Sequence, residues 1–343
     1  MRKNICFAVL ALFILSLLVF SGCFGGVSQG QTQTIQPFPK DQAPSQIVKT
    51  ENRWVMLNST YGGVDYTISV GEAPAPANTV YAVKDVSIWY FEANDKGIVW
   101  CEKTEEFNTF KVYDFATQTT DAVAKVAADA GFQPQNVGIF QDSAYYCLID
   151  YEQRTVRVLA YDLETKATTE FYTVPFREAL QPYSIHLDDG YLSFVCSEQV
   201  KVFRLQNKEV VFDAMLPAGT EHVFAVSYDS KNDTCALYYA DSDSEDIGVL
   251  KEGEEKISSV FTFSENHYAY QDKLECYDGH IYWIAQANIS GAVSDHYTLV
   301  DYHYLERKAV ETDRSFDFCR SQDTVYILRF NKDGDYTHID LCQ

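Results

Sequence analysis

The stretch Gly97-Ile98-Val99-Trp100-Cys101 decides the fold, because versions of it return along the chain roughly every 45 residues. Each copy is a short run of aromatic, aliphatic and cysteine residues, which is typical of a β-strand. A period of about 40–50 residues built only from strands and turns predicts a β-propeller. The other copies are Trp54-Val55-Met56-Leu57, Ala144-Tyr145-Tyr146-Cys147, Gly190-Tyr191-Leu192-Ser193-Phe194-Val195-Cys196, Thr234-Cys235-Ala236-Leu237-Tyr238-Tyr239, Gly279-His280-Ile281-Tyr282-Trp283 and Asp323-Thr324-Val325-Tyr326-Ile327-Leu328.

Each repeat divides into four strands, which predicts an all-β propeller of seven four-stranded blades over residues 46–343. Six and eight blades are the alternatives, because the first unit is poorly defined in the sequence. The seventh unit begins at Ser315 and contains only three strands, and an open ring would leave unpaired sheet edges. We therefore expect a strand within Thr32 to Phe38 to complete that blade, and the first blade to run from Gln46 to Lys84.

Residues 1–22 have the pattern of an export signal. Arg2 and Lys3 precede an apolar run of about 16 residues, which is short for a membrane span that needs roughly 20. The run ends in Val19-Phe20-Ser21-Gly22-Cys23, which resembles the lipobox of bacterial lipoproteins, although Phe20 stands where that family has an aliphatic residue. The resemblance implies cleavage before Cys23 and attachment of lipid to it. An ordinary secretory signal and a transmembrane anchor are the alternatives.

Residues 23–45 have the composition of a flexible tether. The segment is rich in Gly, Ser, Gln and Thr and contains three prolines. Such a composition cannot bury enough apolar surface to pack into a core. The sequence therefore predicts a disordered tether that carries the lipidated cysteine.

The chain is strongly acidic and rich in cysteine. It has 27 basic and 49 acidic residues, a net charge of −22, which argues against a nucleic-acid partner. Equivalent strands of neighbouring blades are too far apart for a disulfide, so the cysteines are interpreted as small core residues. A pair between Cys235 and Cys276 is the alternative that remains open. The cysteines after Cys23 are Cys101, Cys147, Cys196, Cys235, Cys276, Cys319 and Cys342.

Propellers usually bind their ligands on one face, near the mouth of the central channel. That face is built from the loops between second and third strands and from the connections between blades. Several of these segments place aromatic residues beside arginine and glutamate, a composition that suits recognition of peptides or sugars. The candidate ligand-binding residues are Phe107, Tyr151, Arg154, Phe176, Arg177 and His296.

Two acidic segments are candidates for calcium, which prefers several oxygen ligands. The first contains Asp241, Asp243 and Glu245, and the second contains Asp333 and Asp335. A solvated loop is the alternative for the first segment, and a hairpin turn is the alternative for the second. No zinc spacing occurs, so no cofactor is expected apart from this calcium option.

The blade pattern over about residues 46–343 resembles the TolB-like and YncE-like propellers of bacterial exported proteins. With the lipobox, the resemblance implies a membrane-anchored extracytoplasmic lipoprotein whose propeller is a binding or assembly scaffold for a protein, peptide or glycan. The alternative is a carbohydrate-active hydrolase or lyase that uses carboxylates at the channel mouth. A purely structural partner within an envelope complex is a third reading, and no catalytic residue is assigned.

Overall fold

The computed structural model describes residues 27–39, 44–59, 65–75, 77–128, 132–150, 152–175, 184–196, 198–242, 244–254, 256–263, 269–287, 293–330 and 336–342. Every regular element within these ranges is a β-strand, which confirms the all-β prediction. None of the described segments is a helix long and apolar enough to cross a bilayer.

The strands form seven blades around a channel, and each blade is a four-stranded antiparallel sheet. Two strands precede the first complete blade, β1 (Val27–Gln29) and β2 (Thr32–Pro39). Blades 1 to 3 contain, in order, β3 (Gln46–Lys49), β4 (Trp54–Ser59), β5 (Asp65–Gly71), β6 (Asn78–Lys84); β7 (Ser87–Ala93), β8 (Gly97–Lys103), β9 (Phe107–Asp114), β10 (Thr119–Ala127); β11 (Phe132–Phe140), β12 (Ser143–Asp150), β13 (Thr155–Asp162) and β14 (Thr168–Pro175).

The remaining blades repeat the same order from the innermost to the outermost strand, and the last one ends after three strands. The predicted limits of the first blade and the start of the seventh are confirmed. Blades 4 to 7 contain β15 (Ser184–Asp188), β16 (Tyr191–Cys196), β17 (Gln199–Arg204), β18 (Glu209–Met215); β19 (His222–Asp229), β20 (Thr234–Ala240), β21 (Glu245–Lys251), β22 (Ser258–Phe263); β23 (Ala269–Tyr277), β24 (His280–Ala287), β25 (Val293–His303), β26 (Lys308–Asp313); β27 (Ser315–Ser321), β28 (Thr324–Phe330) and β29 (Tyr336–Cys342).

The ring is closed by β2, which pairs antiparallel with β29 and becomes the outer strand of blade 7. This pairing confirms the predicted position of the closing strand. The strand β1 adds in parallel to the edge of β26 in blade 6, with Val27 opposite Ala309. The predicted tether over residues 23–45 therefore needs correction at residues 27–39, because their backbone groups pair with sheet edges that would otherwise be open.

Two faces of the ring follow from the antiparallel order of the strands. We call the face with the turns between first and second strands, and between third and fourth strands, the back face. The other, with the second-to-third loops and the blade connections, is the front face. Neighbouring first turns bond to each other: Thr50 Oγ1 donates to Asp95 Oδ1 at 2.6 Å, and Lys96 pairs with Asp142 at 3.3 Å. Every first turn carries an acid: Glu51, Asp95, Asp142, Asp189, Asp233, Asp278 and Asp323.

The core lies between adjacent blades, where apolar side chains of one sheet pack on those of the next. Phe38 of β2 joins Ile47 and Trp54 of blade 1 and Leu328 and Ile339 of blade 7 in one buried cluster. Closure of the ring and burial of this cluster are therefore the same event.

The described cysteines are buried and unbridged, as the interpretation of core residues predicts. Cys235 and Cys276 are both free thiols, so the alternative of a disulfide between them is wrong. The other free thiols are those of Cys101, Cys147 and Cys319.

Truncation of Phe38 tests the closing strand. Phe38→Ala should lower the free energy of unfolding by about 3 kcal/mol, since it removes a buried ring from the closing cluster. Ile35→Ala on the same strand should change it by less than about 0.5 kcal/mol, since Ile35 is exposed. Urea unfolding of the chain without residues 1–23 measures both. Equal losses in the two variants would contradict this role of Phe38.

Candidate functional site

Charged side chains from the innermost strands of four blades converge in the central channel. They belong to β7, β15, β23 and β27, whose other residues are largely apolar. On β15 and β23 the charged residues alternate with apolar ones, because successive side chains of a strand point to opposite sides. The channel residues are Glu92, His186, Asp188, Lys273, Glu275, Asp317 and Arg320.

Arg320 forms an ion pair across the channel. Its Nη2 donates to Asp188 of blade 4 and, at 3.2 Å, to Asp189. Its Nε lies 3.5 Å from Glu275 Oε2, and its guanidinium lies 4.1 Å from the ring centroid of Tyr277. The Arg320 side chain is only 3% exposed. Blades 4 and 7 stand on opposite sides of a seven-membered ring, so these contacts tie the two sides together.

Lys273 provides the second positive charge of the channel. Its Nζ donates to Asp317 Oδ1 at 3.1 Å and to the carbonyl of Phe318. Asp317 Oδ2 accepts a hydrogen bond of 2.7 Å from the backbone N–H of Ile47 in blade 1. The pair therefore links blades 6, 7 and 1.

Acids outnumber cations in the channel, where four carboxyl groups face one lysine and one arginine. Burial raises the pKa of Glu92 to about 7; Lys273 opposes this rise and the other channel carboxylates add to it. Burial likewise raises the pKa of Asp188 to about 6. Burial lowers the pKa of His186, whose Nε2 has no hydrogen-bond partner among the described residues. Near neutral pH the channel therefore contains carboxyl groups able to hold a proton.

A second cluster lies at the front end of blade 2, where aromatic rings stand under lysines. We call Trp89, Tyr90, Lys103, Phe107 and Lys125 the blade 2 patch. Lys103 Nζ is 4.6 Å from the ring centroid of Trp89, and Lys125 Nζ is 3.7 Å from that of Phe107. Trp89 is 47% exposed, a large fraction for a tryptophan on an innermost strand. An exposed tryptophan held by a cation is typical of binding surfaces.

The backbone beside Trp89 is strained. Tyr90 has a φ of 52° inside β7, whereas the other described non-glycine residues with positive φ lie in turns or connections. The pairing of β7 with β8 shifts register between Trp89 and Phe91, so Tyr90 is a bulge. Bulges redirect neighbouring side chains, and strain of this kind clusters at functional sites. The bulge thus accounts for the exposure of Trp89.

The structure places three of the predicted ligand-binding residues at the front ends of their blades. Phe107 begins β9 in blade 2, and Arg154 is exposed in the front loop of the neighbouring blade 3. His296 is exposed on β25 of blade 6, on the other side of the channel. Phe107 and Arg154 thus share one side of the front face, and His296 does not. The candidates outside the described residues are Tyr151, Phe176 and Arg177, as is the predicted lipidation site Cys23.

The predicted calcium ligands are only partly described. Asp241 Oδ1 accepts a 2.8 Å hydrogen bond from the backbone N–H of Ser244, and Glu245 Oε2 accepts one of 2.6 Å from the hydroxyl of Tyr238. Within the described parts of the chain, no three His, Cys, Asp or Glu residues are grouped to hold a metal. Calcium binding stays a prediction, because Asp243, Asp333 and Asp335 lie outside the described residues.

The sequence analysis missed Trp89 and the channel charges, although both leave a signal. Four large apolar residues run consecutively through Ile88 to Phe91, and a strand cannot bury all of them without a bulge. Lys273 and Glu275 alternate with buried Leu274 and Cys276, a pattern that indicates charged side chains on a strand next to a channel.

Comparison with known proteins supports the fold. No family model and no curated protein match the chain. The β-propeller domain of the Trilobed protease from Pyrococcus furiosus, described with an open velcro topology, gives a TM-score of 0.55 at 10% identity, over 89% of this chain and 94% of that one. KlAtg21 in complex with the coiled coil of AgAtg16 gives 0.52 at 10% identity, over 83% and 91%. TolB from Acinetobacter baumannii gives 0.42 at 11% identity, over 86% and 65%.

The raised pKa of Glu92 makes stability depend on pH. The folded state holds a proton on this carboxyl up to about pH 7, whereas the unfolded chain loses it near 4.5, so its contribution to stability falls as pH rises between these values. Glu92→Gln should therefore add up to about 3 kcal/mol at pH 8 and little at pH 4. Urea unfolding at both values measures this effect.

A matched control is Glu105→Gln, which removes an exposed carboxylate from a front loop. It should leave the pH profile of unfolding unchanged. A Glu92→Gln variant that is less stable than the parent at pH 8 would contradict the assignment of a strained carboxylate.

Proposed function

We propose that this protein is a lipid-anchored extracytoplasmic scaffold whose propeller binds a partner protein through the front face of blade 2. The observation that carries the proposal is the blade 2 patch, in which a half-exposed tryptophan is presented by a strained bulge and held by a lysine. Tryptophan is enriched among residues that dominate protein–protein binding energy. The Trp89 ring has a fixed geometry before binding, so little conformational entropy is lost when a partner covers it.

Two further observations support a protein partner. The ion pairs of Arg320 cross the channel and join its opposite walls, which favours recognition on the surface over passage through the ring. A propeller of similar fold, KlAtg21, has been solved in a complex with the coiled coil of AgAtg16. The export pattern of residues 1–22 and the lipobox at Cys23 support the location.

The location is tested by expressing the chain with its own N-terminus in a bacterium. The parent should remain in the membrane fraction, and its N-terminal peptide should carry the mass of acyl chains on Cys23. Cys23→Ala should release the protein in soluble form. A parent chain that is soluble and unmodified would overturn the anchoring part of the proposal.

The binding surface is tested with Trp89→Ala. Crosslinking in the native envelope should yield a partner that this variant fails to capture, and calorimetry with the purified partner should show affinity reduced about 30-fold, or about 2 kcal/mol. Val210→Ala, which truncates an exposed apolar side chain at the other end of blade 4, is the matched control and should bind like the parent. Equal affinity of all three proteins would place the binding surface elsewhere.

A carbohydrate-active enzyme is the second candidate, and the observation in its favour is the channel chemistry. Glu92 and Asp188, with pKa values raised to about 7 and about 6, have the protonation that a general acid needs near neutral pH. Product release from oligosaccharides that disappears in Glu92→Gln would establish this function. Partner binding by the same variant at parental affinity, with no turnover in either protein, would favour the scaffold.

A further inference from the structure

The pairing of β1 leaves very little chain between the proposed anchor and the ring. The strand β1 begins at Val27, four residues after Cys23. Four residues span at most about 14 Å when fully extended. The inference below rests on the proposed lipid anchor, and its starting point is that such an anchor holds one particular edge of the propeller against the bilayer.

That edge is the back end of blade 6. Val27 lies opposite Ala309, at the beginning of the outer strand β26. The residues that lead into β26 form the turn between the third and fourth strands of the blade, which we call the blade 6 turn, residues 305–308. The anchor therefore leaves the ring next to this turn.

The blade 6 turn has the composition of a membrane contact. Leu305 is 54% exposed, and Arg307 and Lys308 are exposed beside it. Lys308 Nζ pairs with Glu306 Oε2 at 2.7 Å, which leaves the turn with one net positive charge. An exposed leucine next to basic residues suits the boundary between acyl chains and phosphate groups.

The equivalent turns of the other blades lack this composition. The position is set by a backbone bond: the N–H of the residue just before it donates to the first turn of the same blade, as Tyr304 N does to Gly279 O at 2.8 Å. The exposed residue that follows is Leu305 in blade 6. In blades 2, 3 and 4 the corresponding residues are Ala116, Glu164 and Gln206.

We propose that the blade 6 turn docks on the phospholipid surface, with Leu305 in the headgroup region and Arg307 and Lys308 near the phosphates. One leucine and two cations bind a membrane weakly by themselves, but the anchor converts the contact into an intramolecular one at high effective concentration. The acids around the back mouth of the channel would be repelled by a flat approach of the back face. The ring therefore stands on the rim of blade 6, with blade 2 across the ring and its patch accessible.

The docking is tested with the lipidated full chain in vesicles that contain phosphatidylglycerol and phosphatidylcholine brominated in the acyl chains. Leu305→Trp adds an indole at the turn, and Met215→Trp adds one at a site of similar exposure, 58%, on the front face of blade 4. Brominated lipid should remove most of the added emission of Leu305→Trp and none of that of Met215→Trp. Urea unfolding should first show that both variants are as stable as the parent.

The charges are tested by adding Arg307→Gln and Lys308→Gln to Leu305→Trp. Quenching should fall in the anionic vesicles and stay unchanged in vesicles of phosphatidylcholine alone, because only the anionic surface attracts the two cations. Quenching that is the same in both kinds of vesicle with and without these changes would remove the phosphate contact from the proposal.

Failure of the docking and failure of the anchor give different results. If mass spectrometry finds lipid on Cys23 and Leu305→Trp is quenched no more than Met215→Trp, the docking is overturned while the anchor stands. If Cys23 carries no lipid, the anchor is overturned, and the docking is overturned with it.

Discussion

The structure depends on the pairing of β2 with β29, because a propeller ring without it would end in an open sheet edge. The same pairing buries Phe38 among residues of blades 1 and 7, so backbone bonding and apolar burial act at one seam. A closed ring also fixes the distances between innermost strands. Only with those distances fixed can Arg320 of blade 7 reach Asp188 of blade 4. The channel chemistry is therefore a product of closure.

The channel combines charges that stabilise the ring with charges that strain it. Arg320 and Lys273 are well satisfied by carboxylates and carbonyls, and removal of either cation would leave buried acids without a partner. The excess of acids has the opposite effect, since Glu92 can be accommodated near neutral pH only by holding a proton. Strain in a buried charge and strain in the backbone at Tyr90 both occur on β7. Blade 2 is thus where this propeller departs most from a regular repeat.

The repeat made the fold predictable, because each strand core returns with the same spacing and the missing outer strand of blade 7 requires a donor. Strand β1 was not predictable, since its three residues pair through backbone groups and their composition is that of a tether. Phe107 and Arg154 were predictable as front-face residues because loops between second and third strands must lie there. The meeting of Arg320 with Asp188 was not, since 132 residues separate them and only the ring geometry joins them.

The closing seam also sets the order in which the molecule can be completed. The strand β2 precedes every blade in the chain, whereas β29 follows six of them, about 300 residues later. At a synthesis rate of roughly 5–20 residues per second, β2 waits for many seconds with its partner absent. During that interval the nascent blades expose apolar faces and unpaired edges that attract other chains. An exported protein of this design therefore depends on chaperones that hold its N-terminal segment until the last strand emerges.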